Sequence, residues 1–255
     1  MSNSRRKIGL ALGGGAVLGA AHIGVLRAIE ESDFEVGWIA GTSIGALVGS
    51  LFAFGKDYEN VKDIALHLSW SDITKFSPNS YGLFSNRKME KLLKKHIGNA
   101  MIEDANIPLA IMATDISNGT KEVLTTGKVS DAVMASTCIP GIFQPVELNG
   151  KLLVDGGVIE NVPVSPLPEM GADFIIAVDL NAKHKFRRPE NIMDVLLNSF
   201  HFTLAAGVNE QSKKANILIT PDLGDFNYYN IEQCEELILR GYNDTVEALN
   251  QITNK

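Results

Sequence analysis

The chain has 255 residues, 45% of them hydrophobic and 21% charged, which is the balance of a globular protein. Its net charge of −7 at pH 7 argues against nucleic acid as a partner, since phosphate binding needs clustered Lys and Arg, and against long-range attraction to anionic membranes. Two cysteines, Cys138 and Cys234, make neither a disulfide framework nor a zinc quartet, and read as buried thiols in a reducing, cytoplasmic setting.

A chain of this length buries roughly 70–75% of its unfolded surface, enough for one core, so a single domain over residues 1–255 is expected. The segment "SRRKIGLALGGGAVLGAAHIGVL" has the basic start and apolar run of a leader. Its three consecutive glycines disfavour the helix that a leader forms, so it reads instead as the first strand and turn of the fold. No run of about 20 apolar residues occurs elsewhere, so no membrane span is expected.

Lys7–Leu12 reads as a buried strand running into Gly13, Gly14 and Gly15, and Ala20–Ser32 as a helix with apolar residues at helical spacing. Glu35–Ala40 is a second strand, and Ala46–Phe54 an apolar helix. Amphipathic helices follow near Tyr58–Leu68 and Arg87–His96, with an irregular stretch, Ser71–Ser85, between them. Pro108–Ile116 reads as a strand with Thr120–Gly127 as its hairpin arm, and Ser130–Ser136 as a helix stopped before Pro140. Lys151–Gly157, Asp173–Leu180 and Ala215–Pro221 are further strands. A basic loop, Lys183–Asn191, precedes a long helix to about Lys214, and a last helix spans about Ile231–Ile252. Alternating strands and helices predict a three-layer α/β/α fold around a mainly parallel central sheet.

The chemistry centres on "GTSIG", a Gly-x-Ser-x-Gly turn around Ser43 between a strand and a helix. Gly41 and Gly45 remove the Cβ atoms that would crowd a sharp turn there, and the helix start favours developing negative charge. The bland alternative is a tight turn in which Ser43 only caps the helix. No histidine is well placed to take its proton. His22 lies inside the first helix, His67 and His96 near helix ends, and His184 in the basic loop; only His201 is downstream in an apolar setting.

Asp155 ends the apolar run "KLLV" and precedes Gly156 and Gly157, which let backbone approach closely. Strand ends are where sites form in open α/β sheets, so Asp155 is a candidate direct base for Ser43. It would need desolvation to raise its pKa from about 3.9. The alternative is a turn aspartate that bonds its own backbone.

"LGGGAVLG" (residues 12–19) fits neither Gly-x-Gly-x-x-Gly frame: from Gly13 the last position is Leu18, and from Gly14 the third is Ala16. The Gly-Lys-Ser/Thr end of a P-loop is also missing. An oxyanion hole built from the N–H groups of Gly13, Gly14 and Gly15 remains.

These three elements in order, with the blocks "GGGAVLGAAHIGVLRAIEE", "IAGTSIGALVGSLFA", "MATDISNGTKEVLTTG" and "DAVMASTCIPGIFQPVELNGKLLVDGGVIENVPVSPLPEMGADFIIAVDL", resemble the patatin-like phospholipase family, especially its bacterial members. The likeness covers about residues 11–55 and 109–180. It implies a patatin-like fold, a Ser43–Asp155 dyad and an oxyanion turn at Gly13–Gly15. It also implies an acyl-ester lipid substrate, transient contact with a membrane surface, and no metal or cofactor for the dyad itself. Two positions depart from the family pattern: Leu18 stands where Arg or Lys is usual, and Ala16 where Gly is frequent. A non-catalytic lipid- or partner-binding module on the same scaffold is the alternative that Leu18 raises. The stretch 70–84, with Trp70, Phe76, Tyr81, Leu83 and Phe84, reads either as a lid at a lipid-access surface or as a packed loop.

Overall fold

The computed structural model describes residues 5–183, 185 and 188–253; His184 and part of the basic loop around it lie outside the described residues. Strand β1 (Arg6–Leu12) is buried from Ile8 onward and runs into the glycine turn. Helix α1 (Ala20–Glu30) returns the chain to strand β2 (Phe34–Thr42), and helix α2 (Ile44–Ala53) follows the serine turn. β1 pairs in parallel with β2 on one side and with Ile175–Val178 on the other. Ile217–Ile219 extends the sheet beyond Ile175–Val178, and Leu109–Asp115 extends it beyond β2, both in parallel.

Alternation along these strands feeds two cores. Leu10, Leu12, Ile39 and Ile111 enter the larger apolar cluster, which also takes in α1, α2 and the last helix, Cys234–Thr253. Ala11, Ala40, Ala110 and Ala177 face the other way, with Val162, Val164, Leu167 and Val208. Side chains that alternate faces along a strand and are apolar on both are expected of parallel strands covered by helices on both sides. The three-layer α/β/α architecture with a mainly parallel sheet is the one observed.

The sheet departs from parallel at the edge that matters for the site. Met112 pairs with both Thr42 and Val123, and Ala113 with both Glu122 and Asp155. The hairpin arm Thr120–Leu124 therefore occupies one edge of Leu109–Asp115. The other edge is shared: β2 covers its first half, and Lys151–Asp155, running antiparallel, covers the rest. The C-terminal ends of β2 and of Lys151–Asp155 meet head to head on adjacent rungs. Asp155 thus reaches the site from the opposite direction to the parallel strands.

Smaller differences lie in the stretch expected to be irregular. It contains one helical turn, Trp70–Ile73, and a hairpin of Lys75–Phe76 with Gly82–Ser85, onto which Gly141–Phe143 adds in parallel. These strands are too short for a periodic signal in the sequence. The long helix runs over Ile192–Gln211 and packs Leu197 against Ile139 and Ile142.

Candidate active site

Ser43 is the N-cap of α2 and has φ 54° and ψ −123°, a left-handed backbone that costs a serine of order 1–3 kcal/mol. The surroundings hold it there. Its N–H donates to Ser136 Oγ at 2.8 Å. A Cβ on Gly45 would stand 2.1 Å from the Leu12 carbonyl oxygen, so only glycine lets α2 start this close to β1; Gly41 is similarly enclosed by the start of α2.

Asp155 is fully buried. Its Oδ1 accepts the Gly157 N–H at 2.8 Å, while Oδ2 has no hydrogen-bond partner among the described residues. Burial pushes its pKa up to about 7, against the opposing pull of the Ser43 hydroxyl, which is near the carboxylate but outside hydrogen-bond geometry, and of the Gly157 N–H. A Cβ on Gly156 would meet the Met112 carbonyl oxygen at 2.5 Å, and one on Gly157 would meet Leu204, so both glycines allow the chain to turn beneath the carboxylate.

The glycine turn is fastened at each polar atom of its first two residues. Gly13 N–H donates to the Val178 carbonyl at 3.1 Å, and His22 Nε2–H donates to the Gly13 carbonyl at 2.7 Å. Gly14 N–H donates to Asn161 Oδ1 at 3.1 Å, and Asn181 Nδ2 donates to the Gly14 carbonyl at 2.8 Å. The Tyr228 hydroxyl in turn donates to Asn181 Oδ1 at 2.8 Å. Gly15 N–H is left without an acceptor among the described residues. Of the three glycines named from the sequence, two have N–H groups already engaged. His22 is fully buried; burial lowers its pKa to about 4, partly offset by its bond to Gly13, so it is neutral at pH 7.

Ser43, Asp155, Gly14, Gly15, Asn161 and His201 line one small cavity of about 10 Å³. Ser43 also opens onto a larger, apolar cavity of about 150 Å³, walled by Leu47, Leu51, Val61, Ile64, Met89 and Ile139. Trp70 and Ile73 join that wall, whereas Phe76 and Tyr81 are exposed. His201 stacks on Tyr228 with ring centroids 3.7 Å apart. His67 is exposed and His96 partly so, both on helix ends. Leu18 is fully buried in the larger core, and Ala16 has φ 48°, which explains why glycine suits that position. Among the described residues no group of three or more His, Cys, Asp or Glu side chains is placed to hold a metal ion.

Sequence reasoning missed Asn161, Asn181, Ser136 and the part played by His22. Asn161 had the nearest thing to a signal, standing six residues after Asp155 in "DGGVIENVP". A lone polar side chain in an apolar helix, as at His22, has no spacing that separates a packed residue from a positioning one.

Residues 10–168, more than half of the chain, match the patatin-like phospholipase family. The chain belongs to that family. An uncharacterized NTE family protein of Mycobacterium tuberculosis is 35% identical over 182 residues, which is 70% of this chain and 50% of that protein. Lysophospholipase NTE1 of Saccharomyces cerevisiae is 35% identical over 187 residues, 70% of this chain and 11% of that protein. The chain thus spans half or less of the length of these relatives. The crystal structure of VipD from Legionella pneumophila matches 97% of this chain and 67% of that one with a TM-score of 0.66 at 14% identity. The type III effector ExoU matches with a TM-score of 0.53 at 16% identity, over 98% and 56% of the two chains. At these identities the two structures speak for the fold. Among the described residues no helix is long and apolar enough to cross a membrane.

Proposed function

We propose that the chain hydrolyses acyl esters of lipids through a Ser43–Asp155 dyad. The observation that carries this reading is a fully buried carboxylate with an open Oδ2, one rung from a strained serine turn, in the same small cavity. A carboxyl held near pH 7 by burial is a far better base than a solvated one. The apolar cavity that opens from Ser43 suits an acyl chain, and the family membership and the lysophospholipase NTE1 relative favour a phospholipid or lysophospholipid ester.

In this mechanism Ser43 Oγ attacks the ester carbonyl as its proton passes to Asp155 Oδ2. The tetrahedral oxygen is held by the glycine turn, with the free Gly15 N–H as its backbone donor. The turn is Gly13–Gly15, and the bonds at Gly13 and Gly14 keep it in place without reorganisation during the reaction. Asp155 returns the proton to the leaving alkoxide, which departs and leaves an acyl-Ser43 ester. Asp155 then takes a proton from water, which attacks that ester, and passes it to Ser43 Oγ as the acyl–oxygen bond breaks, which releases the fatty acid and restores both groups. Gly41, Gly45, Gly156 and Gly157 serve by leaving room for the two turns. No step calls for a metal or a cofactor. Contact with a membrane surface belongs to the same reading, with Phe76 and Tyr81 exposed in the stretch of chain that follows Trp70 and Ile73.

The binding-module alternative drew on Leu18, but that side chain packs in the core and does not line either cavity, so it offers little support. Fluorophosphonate labelling tests the proposal. Wild type should label at Ser43 and Ser43→Ala should not; equal labelling of the two sinks the nucleophile assignment.

A further inference from the structure

Asn161 is fully buried and lines the small cavity with Ser43 and Asp155. Its amide can be oriented in only one way. Gly14 N–H needs an acceptor, so Oδ1 faces Gly14 at 3.1 Å and Nδ2 is turned away from it. Nδ2 is buried and has no hydrogen-bond partner among the described residues. A buried amide N–H left unpaired costs of order 1–3 kcal/mol, so a fold keeps one only where something else compensates. The position beside Gly14 where a Cβ would stand is 2.8 Å from Asn161 Oδ1 and 3.1 Å from Ser43 Cβ, so amide and serine flank the same glycine. The cavity they share has room for about one oxygen atom.

Three candidates could occupy the cavity beside Nδ2: the Asp155 carboxylate, a water, or the substrate's carbonyl oxygen. Asp155 Oδ2 and Asn161 Nδ2 are both unpartnered, so the two do not satisfy each other. Gly15, whose N–H has no acceptor among the described residues, lines the same cavity. A second donor there would meet the same oxygen.

We infer that Asn161 is a catalytic residue whose Nδ2–H donates to the oxyanion formed on the substrate carbonyl, while its Oδ1 holds Gly14. One side chain thus both fastens the oxyanion turn and adds a donor to it. The inference rests on the Ser43 reading above. It predicts that Asn161→Ala lowers kcat for a short p-nitrophenyl ester about 10²- to 10³-fold, with KM within about threefold of wild type.

Loss of the Gly14 anchor alone could also lower kcat, and the variant could fold poorly. The deciding measurement therefore uses wild type. A crystal structure of its adduct with an alkyl trifluoromethyl ketone carries the ketone oxygen, as a hemiketal, on Ser43. Asn161 Nδ2 should lie about 2.7–3.1 Å from that oxygen. A separation beyond about 3.5 Å, or a folded Asn161→Ala with kcat within about threefold of wild type, overturns the inference while leaving the Ser43 reading intact. A wild type that neither turns over esters nor forms the adduct overturns the Ser43 reading, and this inference with it.

Discussion

Two turns meet at the site, and they are held in opposite ways. At the glycine turn each backbone polar atom of Gly13 and Gly14 has a partner, three of them buried side chains: His22, Asn161 and Asn181. At the aspartate turn one carboxylate oxygen is bonded to Gly157 and the other is left open in a fully buried place. The contrast separates two demands. A group that must only be in position can be tied down by neutral hydrogen bonds. A group proposed to take a proton must keep an oxygen free and endure burial that raises its pKa.

The largest effect expected comes from Asp155→Asn, which keeps the acceptor for Gly157 and removes the proposed base. Ester turnover should fall about 10³-fold or more. The same change should stabilise the fold. The folded pKa of about 7 lies above the ordinary value of about 3.9, so the folded state holds the proton more tightly than the unfolded chain. The stability from this group is therefore full below about pH 4 and is lost as pH rises through about 7. Thermal melts should show Asp155→Asn gaining on wild type between pH 5 and pH 8. In wild type, kcat/KM should rise with pH to a plateau, with a midpoint near 7. A midpoint near 4, or a variant that loses ground at pH 8, would break the contrast by showing an ordinary solvated carboxylate.

The next effect tests the tied-down turn. His22→Leu leaves the Gly13 carbonyl buried without its donor, at a cost of about 1–3 kcal/mol, and frees the proposed oxyanion turn to shift. A displacement of about 1 Å can cost on the order of 10²-fold in rate, so kcat should fall about 10- to 100-fold with KM little changed. His22→Gln, which can offer an amide N–H to the same carbonyl, should recover part of that loss. Because His22 is neutral above about pH 5, the variant that still turns over should keep its pH midpoint near 7. Loss of that midpoint would make His22, rather than Asp155, the titrating group.

How far the sequence reached differs between these same two regions. The serine turn was legible because its need is steric: "GTSIG" between an apolar strand and an apolar helix leaves few other backbones. The parallel strands were legible as apolar runs. Asp155 was half legible. Oδ1 bonds its own turn at Gly157, as a turn aspartate would, while Oδ2 stays open, which is the feature the proposed base role draws on. Its meeting with β2 end to end could not be read, because strand direction and register come from tertiary pairing, not from the residues of Lys151–Asp155. The clamps on the glycine turn were illegible for another reason. Asn161 and Asn181 stand 147 and 167 residues from Gly14, and a single amide carries no periodicity. Leu18 was visible as a departure, but only its burial shows that it belongs to the core.

The smallest effect sharpens what holds the glycine turn. Ala16 sits at φ 48°, a left-handed conformation that costs a residue with a Cβ about 1–2 kcal/mol. Ala16→Gly removes that strain but adds freedom to the unfolded chain, worth about 0.5–1 kcal/mol the other way. The net gain should be about 0.5–1 kcal/mol, read as a rise of about 1–4 °C in Tm. If the bonds at Gly13 and Gly14 suffice to place Gly15, ester turnover should stay within about threefold of wild type. A tenfold fall in kcat with the expected gain in Tm would mean that the strained alanine, rather than the three buried side chains, aims the free N–H of Gly15. The two turns would then be alike after all, each relying on a residue kept in a conformation it does not favour.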